Sequence, residues 1–165
     1  MIVGLDSNIL CYSLDPAYPE HSFVKDLLLN LSPDNLVAVN PTVIHETYHA
    51  LVFGQKWVPR EASRRLGLLL KHPYVKFLNQ TKEITSIGLR LAVKYGLGGR
   101  DSLILANFIS NRIPVIYTHD SDILSLEEIN WRGWTLRPVD SSSTWRSGCY
   151  HPLNMPDCRW SASHL

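Results

Sequence analysis

The sequence is poor in cysteine and has no long apolar run, and both absences limit what the protein can be. Its three cysteines, Cys11, Cys149 and Cys158, are too few and too unevenly spaced for a disulfide framework, which agrees with a reducing compartment. No apolar run approaches the roughly 20 residues that a membrane-spanning helix needs. No basic segment or small-residue cleavage site precedes the apolar run at Ile2. We therefore expect a cytoplasmic protein that has no secretory signal and no membrane association.

Length and composition are those of one globular domain with a short extension. The 165 residues are 45% hydrophobic and 19% charged, which suits a single core and excludes wholesale disorder. We predict a domain over residues 1–140 and an irregular tail over residues 141–165, where neither strand nor helix periodicity is visible. The tail is either native or the product of cloning or a frame shift. Its residues Cys149, His151 and Cys158 lack the paired C-x-x-C spacing of structural zinc sites.

Short apolar runs alternate with segments of helical periodicity along the first 140 residues. The predicted strands cover 2–6, 36–39, a stretch near 75–78, 115–119 and 134–139. The predicted helices cover 21–31, 41–54, 59–71, 81–95, 101–111 and a short stretch near 125–129. Strands separated by helices favour a parallel sheet with right-handed crossovers, so we predict an α/β fold.

Four acidic residues occupy related places in this pattern. Asp6 and Asp120 come at the ends of apolar strands, Glu46 lies in the first turns of the helix after strand 36–39, and Asp101 opens a strongly apolar helix. In open α/β sheets ligands bind at the carboxyl ends of the strands. Carboxylates that share one site raise each other's pKa unless a cation neutralises them. The set therefore predicts a site for a hard divalent metal.

Each of these acids also has a structural interpretation. Asp101 could cap its helix, Asp6 and Asp120 could cap turns at strand ends, and Asp122 could accept backbone N–H groups. For any one of them the structural role is the more common. The ordered set of four favours the metal site.

Basic residues are concentrated in the middle of the chain. Residues 59–100 hold nine basic and two acidic residues, a net charge of +7, whereas the whole chain carries +1. This block could follow a phosphate backbone beside the acidic site, with Arg64, Arg65 and Arg100 as candidate RNA contacts. A solvated helix face is the alternative.

A second motif overlaps the acidic set. The segment His45-Glu46-Thr47-Tyr48-His49 spells H-E-x-x-H, in which two histidines bind Zn²⁺ and the glutamate acts as the base of a peptidase. The downstream third-ligand extension fails, because Val52 and Gln55 occupy its Gly and His positions. A zinc peptidase would also leave Asp6, Asp101 and Asp120 without a role.

The motifs together resemble the PIN domain, in the form found in VapC-type toxins of toxin–antitoxin pairs. Over about residues 1–140, the resemblance rests on the order and spacing of Asp6-Ser7-Asn8-Ile9-Leu10, Glu46, Gly99-Arg100-Asp101-Ser102-Leu103-Ile104-Leu105-Ala106 and Thr118-His119-Asp120-Ser121-Asp122. It implies a three-layer α/β/α sandwich with a central, mainly parallel sheet, and metal-dependent endonucleolytic cleavage of RNA. The family's acidic quartet matches Asp6, Glu46, Asp101 and Asp120. Asp122 matches an additional, secondary metal-binding acid, and Asn8 and Thr118 match polar residues that steady the pocket.

The resemblance also implies a cofactor and partners. One or two Mg²⁺ or Mn²⁺ ions would sit between Asp6, Asp101 and Asp120, and Glu46 would act directly or through water. An antitoxin would cover the pocket, and the protein would be a homodimer. A PIN-type RNA-processing nuclease outside toxin–antitoxin systems is the alternative. A third class is a nucleic-acid-binding protein with an inactive site, in which the neighbours Trp131-Arg132, Trp145-Arg146 and Arg159-Trp160 could stack on unpaired bases. The structural alternative is that a tryptophan such as Trp134 closes an edge of the core and that the tail tryptophans have no role. The RNA target, the cleavage sequence and the preferred ion stay open.

Overall fold

A computed structural model describes residues 1–141, which form a six-stranded sheet flanked by helices. The strands are β1 Ile2–Leu5, β2 Leu36–Val39, β3 Val75–Phe77, β4 Val115–Thr118, β5 Ile129–Trp131 and β6 Trp134–Asp140. The α-helices are α1 Ser7–Leu14, α2 His21–Leu29, α3 Pro41–His49, α4 Pro59–Leu70, α5 Lys82–Tyr95, α6 Gly99–Ser110 and α7 Ser121–Leu124. A π-helical turn, Ala50–Gly54, continues α3. No helix within the described residues is both long and apolar enough to cross a bilayer.

The strand order in the sheet is β3-β2-β1-β4-β6-β5. All neighbouring strands are parallel except β5 and β6, which form an antiparallel hairpin. From β1 the chain moves outward through β2 to β3, and it then returns to place β4 on the other side of β1. The strand order therefore reverses between β1 and β4, which is the place where open α/β sheets bind ligands.

Local sequence explains where the helices near this edge begin and end. Asp6 and Asn40 follow β1 and β2 in extended conformation, and their side chains accept backbone N–H groups at the starts of α1 and α3. Pro41 occupies the first turn of α3, where no N–H is needed. Gly96 ends α5 in the left-handed region, with φ 67°. These caps put α1 and α3 directly after the carboxyl ends of β1 and β2.

The core lies between the sheet and its helices. The middle strands are lined by fully buried apolar side chains, and α6 is buried along most of its length. Gly4 in β1 allows Phe108 of α6 to approach closely, because a Cβ at position 4 would lie 2.9 Å from the Phe108 ring. This contact holds α6, which carries Asp101, against the central strand.

The predicted fold class, a mainly parallel sheet flanked by helices, is confirmed. One local prediction is wrong, and two elements were missed. Helix α1 was missed, and the short helix expected near 125–129 is α7 at Ser121–Leu124, which is followed by strand β5 instead. The hairpin was missed as well, although Arg132 and Gly133 have the positive φ values, 48° and 80°, that a two-residue turn requires. The predicted tail, with Cys149, His151 and Cys158, lies outside the described residues.

Candidate active site

A pocket of about 290 Å³ opens at the carboxyl edge of the sheet, beside the junction of β1 and β4. The pocket is lined by residues from four separate segments, namely Asp6, Ser7, Asn8, Glu46, His49, Ala50, Arg100, Asp101 and Asp120. All four acids of the predicted quartet are among them. The side chains of Asn8 and Arg100 join them there, as the sequence also suggested.

Asp6 is the most deeply buried member of the quartet, with 4% of its surface exposed. Its Oδ1 accepts the Ser7 backbone N–H at 2.7 Å, and its Oδ2 accepts the Thr118 hydroxyl at 2.6 Å. Burial raises the pKa of Asp6 from 3.8 to about 6, with smaller contributions from the negative charges of Glu46 and Asp101, while the two hydrogen bonds lower it. An ionised Asp6 is therefore costly until a cation joins it.

Thr118 and Asn8 hold the two central strand ends together. Besides donating to Asp6, the Thr118 hydroxyl accepts the Asp120 backbone N–H at 3.0 Å and the Asn8 side-chain amide at 3.5 Å. The Asn8 carbonyl oxygen accepts the His119 backbone N–H at 3.4 Å. These contacts fix the segment that carries Asp120 relative to Asp6.

Glu46 reaches the pocket from α3 and faces Arg100. The Arg100 Nε lies 3.3 Å from Glu46 Oε1, and the Arg100 side chain is 78% exposed. Burial raises the pKa of Glu46, helped by the charge of Asp101, although the Ser7 hydroxyl and Arg100 act in the opposite direction. An exposed ion pair of this kind contributes little stability and can exchange partners easily.

Asp101 lies in the first turn of α6, where the helix dipole favours a negative charge. Burial raises its pKa first, followed by the charges of Asp120 and Asp122, and Arg100 lowers it. Gly98, at the N-cap, lies close to this carboxylate, because a Cβ built there would be 2.9 Å from Asp101 Oδ2. The backbone of residue 98 thus limits where the Asp101 side chain can lie.

Asp120 is both a helix cap and a pocket residue. Its Oδ1 accepts the backbone N–H groups of Asp122 and Ile123 at 2.9 and 3.0 Å, which caps α7. The structural interpretation is therefore correct for Asp6 and Asp120, and both residues line the pocket nonetheless. The Asp122 side chain is exposed and lies outside the pocket lining, although its charge raises the pKa of Asp101.

Two histidines near the pocket were not among the candidate site residues. His49 lines the pocket one turn after Glu46 in α3, and its ring lies 4.8 Å from that of Phe53. His119 Nε2 lies 3.2 Å from Asp140 Oδ1 and 3.0 Å from Ser141 Oγ, so it ties the end of β4 to the end of β6. The sequence had named His49 only in the H-E-x-x-H alternative, as a zinc ligand. The His119 contact depends on the pairing of β4 with β6 and has no local signal.

Arg64 and Arg65, the other candidate RNA contacts, are not in the pocket lining. Both pair with Glu61 on α4, with Arg64 Nη2 2.8 Å and Arg65 Nε 2.7 Å from Glu61 Oε1. The guanidinium of Arg65 also lies over the Trp57 ring, 4.9 Å from its centroid. The alternative interpretation, a solvated and charged helix face, accounts for these contacts.

The donor chemistry of the pocket suits Mg²⁺ better than Zn²⁺. Within residues 1–141, no three His, Cys, Asp or Glu side chains lie close enough together to hold an ion of either kind as they stand, so an ion held by three carboxylates would require these side chains to move closer together. Zn²⁺ sites require three or four protein ligands, whereas Mg²⁺ keeps several waters and commonly takes only one or two carboxylates. His45, which a zinc peptidase would need, is exposed and does not line the pocket. Carboxylate oxygens from four segments of the chain line the pocket, and such oxygens are the ligands that a hard, partly hydrated cation prefers.

Comparison with protein families identifies the domain. The PIN domain model matches residues 3–129, which is more than half of the chain. The sequence matches none of the curated proteins with which it was compared.

Solved structures with the same fold come from several bacteria. The VapC20 toxin of Mycobacterium tuberculosis, described as cleaving the sarcin–ricin loop, has a TM-score of 0.62 at 16% identity, covering 73% of this chain and 91% of that one. VapBC2 of Rickettsia felis, bound to a DNA fragment from its promoter, has a TM-score of 0.60 at 17% identity, covering 85% and 100%. VapBC-1 of nontypeable Haemophilus influenzae has a TM-score of 0.54 at 20% identity, covering 86% and 99%. At these identities the similarity concerns the fold.

Proposed function

This chain belongs to the PIN-domain family of nucleases, and we propose that it is a metal-dependent endoribonuclease that acts as the toxin of a toxin–antitoxin pair. One observation carries the proposal: four carboxylates from four separate segments of the chain line a single pocket at the β1–β4 junction. Burial raises the pKa values of Asp6, Glu46 and Asp101, and the negative charges of neighbouring acids raise them further, as expected of carboxyl groups in a cation site.

The proposed cofactor is Mg²⁺ or Mn²⁺, held by Asp6, Asp101 and Asp120, with Glu46 acting directly or through water. When bound, such an ion lowers the pKa of a coordinated water and neutralises charge on the phosphate. Asp6 is suited to direct contact because its carboxylate is held in place from both sides, by Ser7 and by Thr118. Asp120 uses only Oδ1 for its helix cap.

Arg100 would bind the RNA phosphate in this scheme. Its guanidinium already lies among the carboxylates, and its exposure lets it turn from Glu46 towards an incoming anion. The exchange would leave Glu46 available to the ion or to its bound water. Arg100 thus has a role in binding the substrate, whereas Arg64 and Arg65 are engaged with Glu61.

The partners follow from the same family. The structures of VapBC2 and VapBC-1 contain toxin–antitoxin pairs with this fold, which supports an antitoxin partner for this chain. We propose that the antitoxin covers the acidic pocket, that the toxin is a homodimer, and that it acts on RNA in the cytoplasm. Co-expression with a small gene adjacent to this one should relieve growth arrest and yield a complex that does not cleave RNA.

The test of the enzymatic proposal is RNA cleavage by carboxylate variants. Asp101→Asn and Glu46→Gln should each lower cleavage in Mg²⁺ or Mn²⁺ by at least about a hundredfold, and a chelator should abolish parental cleavage. Asp34→Asn is the matched control, since it removes an exposed acid outside the pocket lining and should cost less than about tenfold. Thermal unfolding of all three variants should stay close to that of the parent. Parental rates for Asp101→Asn, or cleavage that persists in chelator, would refute the proposal.

A further inference from the structure

A cluster of aromatic and basic side chains surrounds the β5–β6 hairpin. We call it the hairpin patch, and it comprises Lys94, Tyr95, Arg112, Trp131, Arg132 and Trp134. Three cations each lie over an aromatic ring, with Lys94 4.8 Å from the Tyr95 centroid, Arg112 5.9 Å from Trp134 and Arg132 6.0 Å from Trp131. We propose that the hairpin patch is a second nucleic-acid contact site, which binds an unpaired stretch of RNA.

The patch is held together by contacts between α5 and the hairpin. Trp131 and Trp134 are paired directly across the two strands, so their side chains lie on the same face. The Lys94 Nζ donates to the Asn130 carbonyl at 3.1 Å, and the Tyr95 hydroxyl accepts the Asn130 N–H at 3.0 Å. Helix α5 therefore places a ring and a cation against the backbone of Asn130, the residue before Trp131.

The hairpin patch is positively charged and could bind an anion. Lys94, Arg112 and Arg132 are exposed, and none of them is in an ion pair within the described part of the chain. Glu127 and Glu128 lie just before β5, and Glu128 is already paired with Arg137 at 2.9 Å. Exposed cations beside rings are the arrangement that binds single strands, because phosphates contact the cations and unpaired bases stack on exposed rings. Trp134 is the exposed ring of the patch, whereas Trp131 and Tyr95 are partly buried against the core.

The hairpin patch lies at a distance from the acidic pocket. Strand β6 begins at Trp134 in the patch and ends at Asp140, which is in register with Thr118 beside the pocket. Seven residues of strand at roughly 3.3 Å each put the two ends about 20 Å apart. The patch would therefore hold RNA several nucleotides away from the bond that is cut. That the nucleic acid is RNA rests on the proposed function.

The test is binding of the full chain to labelled oligonucleotides in EDTA, where cleavage does not interfere. The probes are a 20-nucleotide oligo(A) RNA and a 20-base-pair RNA duplex, followed by fluorescence anisotropy over a range of salt concentrations. The charge variant is Arg112→Asn with Arg132→Asn. Both arginines have positive φ, 58° and 48°, and asparagine tolerates that region, so the charge is lost without added strain. The matched control is Lys56→Asn with Lys25→Gln, since Lys56 also has positive φ, 62°, and both lysines are exposed outside the patch.

For the charge variant, the slope of log affinity against log salt on oligo(A) should fall by about 1.4, the value for two lost phosphate contacts to a single strand. The control should keep the parental slope. Trp134→Thr, which retains a strand-forming residue, should weaken oligo(A) binding by about fivefold or more and leave duplex binding unchanged.

Three results would overturn the proposal. The first is an equal loss of salt slope in the charge variant and in its control. The second is an equal loss of affinity for single strand and duplex in Trp134→Thr. The third is a change of oligomeric state in the variants without a change in RNA affinity. The last would identify the patch as a contact between copies of the chain. Circular dichroism of each variant checks that the fold is kept. If the parent binds oligo(A) through the patch but no RNA is cleaved with metal present, the patch stands and the proposed enzymatic function fails.

Discussion

The Thr118 hydroxyl donates a 2.6 Å hydrogen bond to Asp6 Oδ2, joining residues 112 positions apart in the sequence. Both residues are buried, and the bond bridges the carboxyl ends of β1 and β4 at the point where the strand order reverses. The same hydroxyl accepts the Asp120 N–H. A single side chain thus orients two of the four proposed metal ligands.

Replacing Thr118 with valine should separate this positioning role from packing, because valine has nearly the same shape. We expect metal affinity or RNA cleavage to fall about 10- to 100-fold, as is typical when a ligand loses its supporting hydrogen bond. The pKa of Asp6 should rise further, since the lost bond lowers it in the parent, so the pH at which activity appears should move upwards. Thr47→Val is the control: Thr47 is equally buried, and its hydroxyl donates to Val43 within α3. Equal activity in the two variants would contradict the positioning role.

The raised pKa of Asp6 should make the stability of the fold depend on pH. The carboxyl has a pKa of about 6 in the folded chain, whereas its ordinary value is 3.8. The fold therefore favours the protonated carboxyl, whose contribution to the free energy of unfolding is complete below pH 3.8 and is lost as pH rises through about 6. By pH 8, without metal, the ionised group should cost about 3 kcal/mol. Asp6→Asn removes this cost. The free energy of unfolding of the variant relative to the parent should therefore rise by roughly that amount between pH 4 and pH 8.

Urea unfolding in EDTA at the two pH values measures this difference. Asp34→Asn, which removes an exposed carboxylate, controls for the loss of one negative charge. If Asp6→Asn and Asp34→Asn change the free energy of unfolding by the same amount between pH 4 and pH 8, ionising the buried Asp6 carboxyl does not destabilise the fold. Added Mg²⁺ should stabilise the parent more than Asp6→Asn, because the ion binds the folded state.

Gly98 offers a way to move Asp101 without replacing it. Its φ and ψ, −60° and 152°, suit alanine, but the new methyl group would lie 2.9 Å from Asp101 Oδ2 and displace that carboxylate. We expect Gly98→Ala to reduce RNA cleavage by up to about a hundredfold with little change in the thermal transition. Gly99→Ala is the matched control, since a Cβ there meets nothing within 4 Å. Unchanged cleavage in Gly98→Ala would show that the exact position of Asp101 is unimportant.

The sequence predicted the positions of the central strands because β1, β2 and β4 are short apolar runs with breaking residues around them. It also predicted that the four acids share one edge, since Asp6 and Asp120 follow strands, and Glu46 and Asp101 lie in the first turns of helices. Helix α1 was not predicted, because its eight residues are too short to show a clear period, and its start depends on the Asp6 cap.

Other features depend on tertiary pairing and left no local pattern. Strand β5 has three residues and exists by pairing with β6, so a helix was an equally good interpretation of that stretch. The contact of His119 with Asp140 requires β4 and β6 to be neighbours in register. The ion pair between Arg100 and Glu46 likewise joins helices that are far apart in the chain.

The most direct test of the metal site is a crystal of the chain soaked in Mn²⁺, with an anomalous difference map calculated at the manganese edge. We expect a peak in the pocket within direct coordination distance of an Asp6 oxygen, about 2.1 Å for an ion of the Mg²⁺ type, and of at least one oxygen from Glu46, Asp101 or Asp120. The peak should disappear in Asp6→Asn crystals. An ordered pocket without a peak, or a peak bound only at other residues, would show that these acids do not form a metal site.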